Sequence, residues 1–186
     1  KDKGQILPSG SAYEIASPYL EAELFDIKFA QSADVMYICH PNHPVKKLSR
    51  TGHTSWTLAT VSFGGSPSPG ITGSNDRPSS VSFYEQRLVF AGTNNNPQTL
   101  WFSKAGDYEN FTTGTNADDA MIYTIASNQV NAIRYLKAQR TLVVGTSGGE
   151  FTVSADGTDA SITPTNVTIK KQSSYGSANV DAQPAG

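Results

Sequence analysis

The sequence predicts an all-β fold in which antiparallel sheets repeat as part of a β-propeller, with about three blades. Three observations predict it. Short runs of alternating apolar and polar residues, bounded by Gly, Pro, Asn and Asp, recur along most of the chain. The runs repeat as a set: the residues that close the apolar strand of each set, His40, Gly92 and Gly145, lie 52 (40 to 92) and 53 (92 to 145) residues apart. Repeats of roughly 40 to 50 residues built from short strands mark propeller blades. Between the sets the chain is rich in Gly, Ser and Pro at 64–75, which regular strands avoid, and polar at 114–119. One such set cannot cover both of its faces, so neighbouring sets must stack on it.

In order, residues 1–7 read as the tail of a preceding strand and 8–11 as a loop. Residues 13–25 read as a short crossing segment in which Tyr19, Leu20 and Leu24 permit a helical turn or two. The first repeat, 26–75, has strands at 27–29, 35–38, 45–48 and 56–58, with a loop carrying Pro41 and Pro44. The second, 76–127, is the best defined: strands at 81–83, 88–92 and 99–103, polar turns at 85–87 and 94–97, and an outermost strand at 121–125. The third, 128–186, has strands at 132–135, 142–145 and 150–154, further strand candidates at 162–164 and 167–169, and an unstructured end from Ala182.

Composition removes several functions. With 14 Lys plus Arg against 16 Asp plus Glu, there is no cationic excess for duplex nucleic-acid binding through counterion release. The basic points at 45–50 and at Lys170-Lys171 read as solvated strand faces. One cysteine, Cys39, forms no internal disulfide and reads as a buried small hydrophobe. No run approaches the roughly 20 apolar residues of a membrane helix, and residues 1–5 lack the apolar core of a signal peptide.

No motif supports a reaction mechanism. Cys39-His40-Pro41-Asn42-His43, with His53 further on, contains zinc-type donors. Against a site, Pro41 and Pro44 hold an extended loop, no second Cys exists, and the other repeats place a similar loop there without His. No metal or cofactor is therefore assigned. The acid pairs Asp107 with Glu109, Asp118 with Asp119, and Asp156 with Asp159 fall in turns, where Asp satisfies the local backbone. Residues 145–149, Gly-Thr-Ser-Gly-Gly, have the letters of Gly-x-Ser-x-Gly but join two strand candidates instead of the strand and helix of a nucleophile elbow, and they lack the Lys of a phosphate loop. Trp56, Trp101, Phe111 and Phe151 come late in their repeats, where aromatics fill the space between blades; an exposed one would suit sugar stacking. The candidate binding or interface residues are thus Trp56, Trp101 and the loop Asn94, Asn95 and Asn96, with further contact loops at 66–75 and 145–149.

Several phrases in order, YEIASPY at 13–19, FAQSAD at 29–34, HPNHP at 40–44, LSRTGH at 48–53, FYEQRLVFAGT at 83–93, GDYENF at 106–111 and GTSGGE at 145–150, resemble a family of bacteriophage and prophage virion proteins of the tail region. The resemblance runs from about Lys3 to Gly176 and continues past both ends, so the chain reads as an internal piece of a longer protein. It is similar in turn to the tail nozzle or stabilisation proteins of short-tailed phages. That likeness implies a non-enzymatic structural protein, made in the bacterial cytoplasm and resident in the virion. It further implies a homo-oligomeric ring that meets other tail proteins, without a membrane segment or specific nucleic-acid binding. Two rival expectations are a carbohydrate-recognising tail module contacting the host surface, and a glycan or peptidoglycan hydrolase, which would need two carboxylates facing across a cleft.

Overall fold

The computed structural model describes residues 12–126, 129–157, 160–180 and 182. Its twelve strands form three four-stranded antiparallel sheets, each a meander in chain order. The first holds β1 (Lys28–Ser32), β2 (Val35–His40), β3 (His43–Gly52) and β4 (Ser55–Thr60). The second holds β5 (Ser80–Tyr84), β6 (Arg87–Ala91), β7 (Thr99–Phe102) and β8 (Met121–Thr124). The third holds β9 (Ile133–Ala138), β10 (Leu142–Thr146), β11 (Gly149–Ala155) and β12 (Val167–Ser173). The all-β reading with repeated sheets therefore holds. The crossing segment contains one 3-10 turn, Glu21–Asp26. Among the described residues no helix is long and apolar enough to cross a membrane.

The sheets stack face to face, and the alternation of strand side chains supplies both interfaces. Leu88, Phe90 and Trp101 point into a core shared with the first sheet, together with Tyr37, Cys39 and Val45. Their neighbours Val89, Ala91, Leu100 and Phe102 point into a second core, with Ile133, Leu142, Val144, Phe151 and Val153 of the third sheet. The middle sheet is thus covered on both sides, which is why β6 and β7 are buried at every position. The first strands of the sheets pack together, β1 on β5 and β5 on β9.

Burial also corrects the repeat spacing. Tyr37 and Cys39 face the following sheet, as Val89 and Ala91 do 52 residues later (37 to 89). In the third sheet Leu142 and Val144 face back to the second, so they match Leu88 and Phe90 at 54 residues (88 to 142), not at 53. An odd shift would turn every strand side chain to the opposite face. The additional length lies in the β9–β10 connection, residues 139–141, where the first two sheets use the two-residue turns 33–34 and 85–86.

Other local expectations also change. Pro41 and Pro44 do not hold an extended loop: residues 41 and 42 alone make the turn, and Pro44 is the second residue of β3. The ladder is irregular there, between Ile38 and His40, so the missing N–H is tolerated. Residues 162–164 form no strand. Thr163 N–H donates to Asn166 Oδ1 (2.8 Å) and closes a turn that drops Ile162 into the second core. Arg87 is not a turn residue. It opens β6 as a 1 % exposed side chain whose guanidinium donates to the carbonyls of Ser103 (2.7 Å), Ala117 (2.6 Å) and Asp119 (2.7 Å). The readings of 1–7, 8–11 and 183–186 lie outside the described residues.

Candidate interface on the first sheet

If Tyr37 and Cys39 face the second sheet, the alternate residues of the first sheet face away from it. Cross-strand register aligns Phe29, Ile38, Lys46 and Thr60 in one row, and Gln31, Met36, Leu48 and Leu58 in the next, with Arg50 opposite Trp56. Phe29 is 56 % exposed, while Met36, Ile38, Leu48, Leu58 and Trp56 are half-buried with no sheet above them among the described residues. Leu20, Leu24 and Phe25 of the crossing segment add further exposed apolar surface. The far face of the third sheet has a different character: its rows read Lys137, Val143, Thr152, Lys170 and, beside them, Ser154 and Thr168. One end of the stack is apolar and the other polar.

The two tryptophans separate on this basis. Trp101 is 0 % exposed between the first two sheets, with its Nε1–H donating to Pro69 O (2.8 Å), so it offers no stacking platform. Trp56 stays at the surface on β4. Its Nε1–H donates to His53 O (3.0 Å), and the Arg50 guanidinium lies 5.8 Å from its ring centroid. A recess of about 120 Å³ opens beside it, lined by Met36, Leu48, Gln31 and Asp34 among others. Phe111 and Phe151 are buried in the first and second cores respectively, as inter-sheet aromatics.

The Asn loop is mostly committed to its own structure. Asn95 bonds Asp76 through Nδ2 (2.9 Å) and Asn75 through its backbone (3.1 Å), and Asn96 N–H donates to Thr93 Oγ1 (2.9 Å). Asn94 is exposed on a cleft of about 400 Å³ shared with Pro41, Ser79 and Arg134. Residues 145–149 are not a free loop either: Gly145 lies in β10, and a Cβ there would collide with the Tyr135 ring.

Of the candidate acid pairs, Glu109, Asp118 and Asp119 meet cations, and Asp159 lies outside the described residues. Glu109 takes Lys47 Nζ (2.5 Å) and Tyr37 Oη–H (2.8 Å), joining the first sheet to the second. Asp119 and Asp118 face Lys104 Nζ at 3.0 and 3.6 Å. The Lys104 hydrogen bond, followed by the Asn116 N–H, holds the Asp119 carboxyl below its ordinary range. Of the zinc-type donors, Cys39 is buried in the first core, where burial pushes its thiol well above the usual range, and His53 is exposed in the β3–β4 turn. His40 and His43 do come together, joined by Glu23 of the 3-10 turn, which sequence reading passed over.

The outward apolar row was missed as well, although β2, VMYICH, is apolar at both parities, the signal of a strand meant to be covered on both faces. Scanning the chain against protein-family models and searching curated proteins both return no match.

Proposed function

We propose that this chain is a non-enzymatic structural protein of a phage tail, of the nozzle or stabilisation type, and that it works by stacking its sheets against further sheets in an assembled ring. The observation that carries this reading is the outward row Phe29, Met36, Ile38, Leu48 and Leu58. Its counterparts in the middle sheet, Leu88 and Phe90, are wholly buried beneath a neighbouring sheet. An apolar face of this kind drives association because burying it removes apolar area from water, about 25 cal/mol per Å². The polar far face of the third sheet is a poor match, so the occupant is an apolar sheet face rather than the opposite end of a second copy. The phrases that resemble tail-region virion proteins support the same reading. A glycan-binding role is left with Trp56 alone, and one face of that ring is taken by Arg50.

The test is a pair of substitutions in the full-length virion protein, Ile38→Glu and Leu58→Glu. The variant chains should keep the β-rich circular dichroism of the parent, because both side chains point away from the cores. They should fail to enter particles, leaving tails that are unfinished by electron microscopy. Normal particles carrying either variant would overturn the reading.

A further inference from the structure

We infer that Glu23, His40 and His43 form a binding site for one divalent transition-metal ion of the Zn²⁺ class. Their ligand atoms all lie within 4.8 Å of one another, and the residues come from two separate parts of the chain, the 3-10 turn and the two sides of the β2–β3 turn. Two imidazoles and one carboxylate are a donor set that Zn²⁺ takes, with one tetrahedral position left over.

A second observation is independent of that convergence. His40 is 1 % exposed, and its Nε2 makes no hydrogen bond of ordinary geometry among the described residues, the Glu23 backbone carbonyl acting on the ring only as a weak acceptor. Buried ring nitrogens are ordinarily well satisfied, and a metal bound at Nε2 would satisfy this one. Beside it, the Tyr19 hydroxyl is buried without a partner too, and the Tyr19 ring lies 5.0 Å from the His43 ring and 6.0 Å from the His40 ring.

The carboxylate is already oriented. Glu23 accepts the Leu20 N–H (3.0 Å) and the Asn42 side-chain amide (3.3 Å), outer contacts of the sort that hold a ligating carboxylate in place. Without a cation, His43 Nε2 lies 2.7 Å from Glu23 Oε2, and a hydrogen fills the space between them. His40 Nδ1 accepts the Asn42 N–H (3.0 Å), so the neutral ring carries its hydrogen on Nε2. Metal binding through Nε2 moves the hydrogen of each neutral ring to Nδ1 and releases none. A protonated ring would lose one proton, so acid opposes binding. The Asn42 N–H must turn away from His40, which weakens the site relative to one whose histidines are already held in the metal-binding tautomer. The bound ion would clip the crossing segment onto the β2–β3 turn.

The experiment titrates the tag-free chain with Zn²⁺ by calorimetry and with Co²⁺ by visible absorption. One ion should bind per chain, with Co²⁺ giving four-coordinate bands and no thiolate charge-transfer band, since Cys39 is in the first core. The ¹⁵N shifts of His40 should switch from the Nε2–H to the Nδ1–H pattern. Glu23→Gln and His43→Ala, both at partly exposed positions, should each weaken binding at least about tenfold while leaving the circular dichroism unchanged, and His53→Ala should leave binding intact. Absence of stoichiometric binding, binding that survives both substitutions, or binding lost with His53→Ala would overturn the assignment.

Discussion

Trp56 and Trp101 have the same side chain late in successive repeats, yet one is at the surface and the other sealed between sheets. The difference is whether a sheet lies on that side, which no local pattern encodes. Replacing Trp101 by Ala should cost about 3 to 5 kcal/mol, and Trp56→Ala only about 1 kcal/mol or less, both read from urea midpoints of the isolated chain. Titratable residues test packing in a second way. Asp119 is held below its ordinary pKa by Lys104, so its contribution to stability is present above the unfolded carboxylate pKa, roughly 3.9, and is lost as pH falls through the lower folded value. Asp119→Asn should therefore flatten the acid side of the stability profile, measured as urea midpoint against pH. An unchanged acid limb would refute that role. Arg87 and Glu23 were the residues least legible in the sequence. A charged residue after a polar turn normally reads as solvated, and Glu23 meets His43 only because the crossing segment folds back over twenty residues of chain (23 to 43).

At the scale of elements the sequence was far more legible. Period-two alternation and turn residues located the strands of all three sheets, because strands with buried faces must alternate and their connections need polar turns. Two things escaped it. One is parity: aligning on Gly145 placed the third repeat one residue out, since only burial distinguishes the faces of a strand as uniformly apolar as β10. The other is backbone conformation at turns without glycine. The β5–β6 turn places Glu85 at φ 44° and Gln86 at φ 58°, the left-handed region in which side-chain-bearing residues are strained. Gln86→Gly should relieve that strain and stabilise the chain by about 0.5 to 1 kcal/mol, seen as a higher urea midpoint with unchanged slope. A lower midpoint would show that the turn is not strained.

For the whole molecule, the decisive feature is the unequal treatment of equivalent positions. Phe90 of the middle sheet and Ile38 of the first stand 52 residues apart (38 to 90), and among the described residues only Phe90 has a sheet above it. In the isolated chain Phe90→Ala should lose about 3 to 5 kcal/mol, and Ile38→Ala about 1 kcal/mol. Assembly should remove that disparity by covering the first sheet. The sequence pointed to stacking through its repeat, but it could not show which end of the stack is apolar, because that depends on how three separate registers align side chains across four strands. The most direct measurement is a side-chain-resolved electron microscopy map of the assembled tail. This chain should lie within a ring on the tail axis, with Phe29, Met36, Ile38, Leu48 and Leu58 packed beneath an apolar face of another sheet. A map in which that row faces solvent, or in which the chain is missing from the particle, would contradict it.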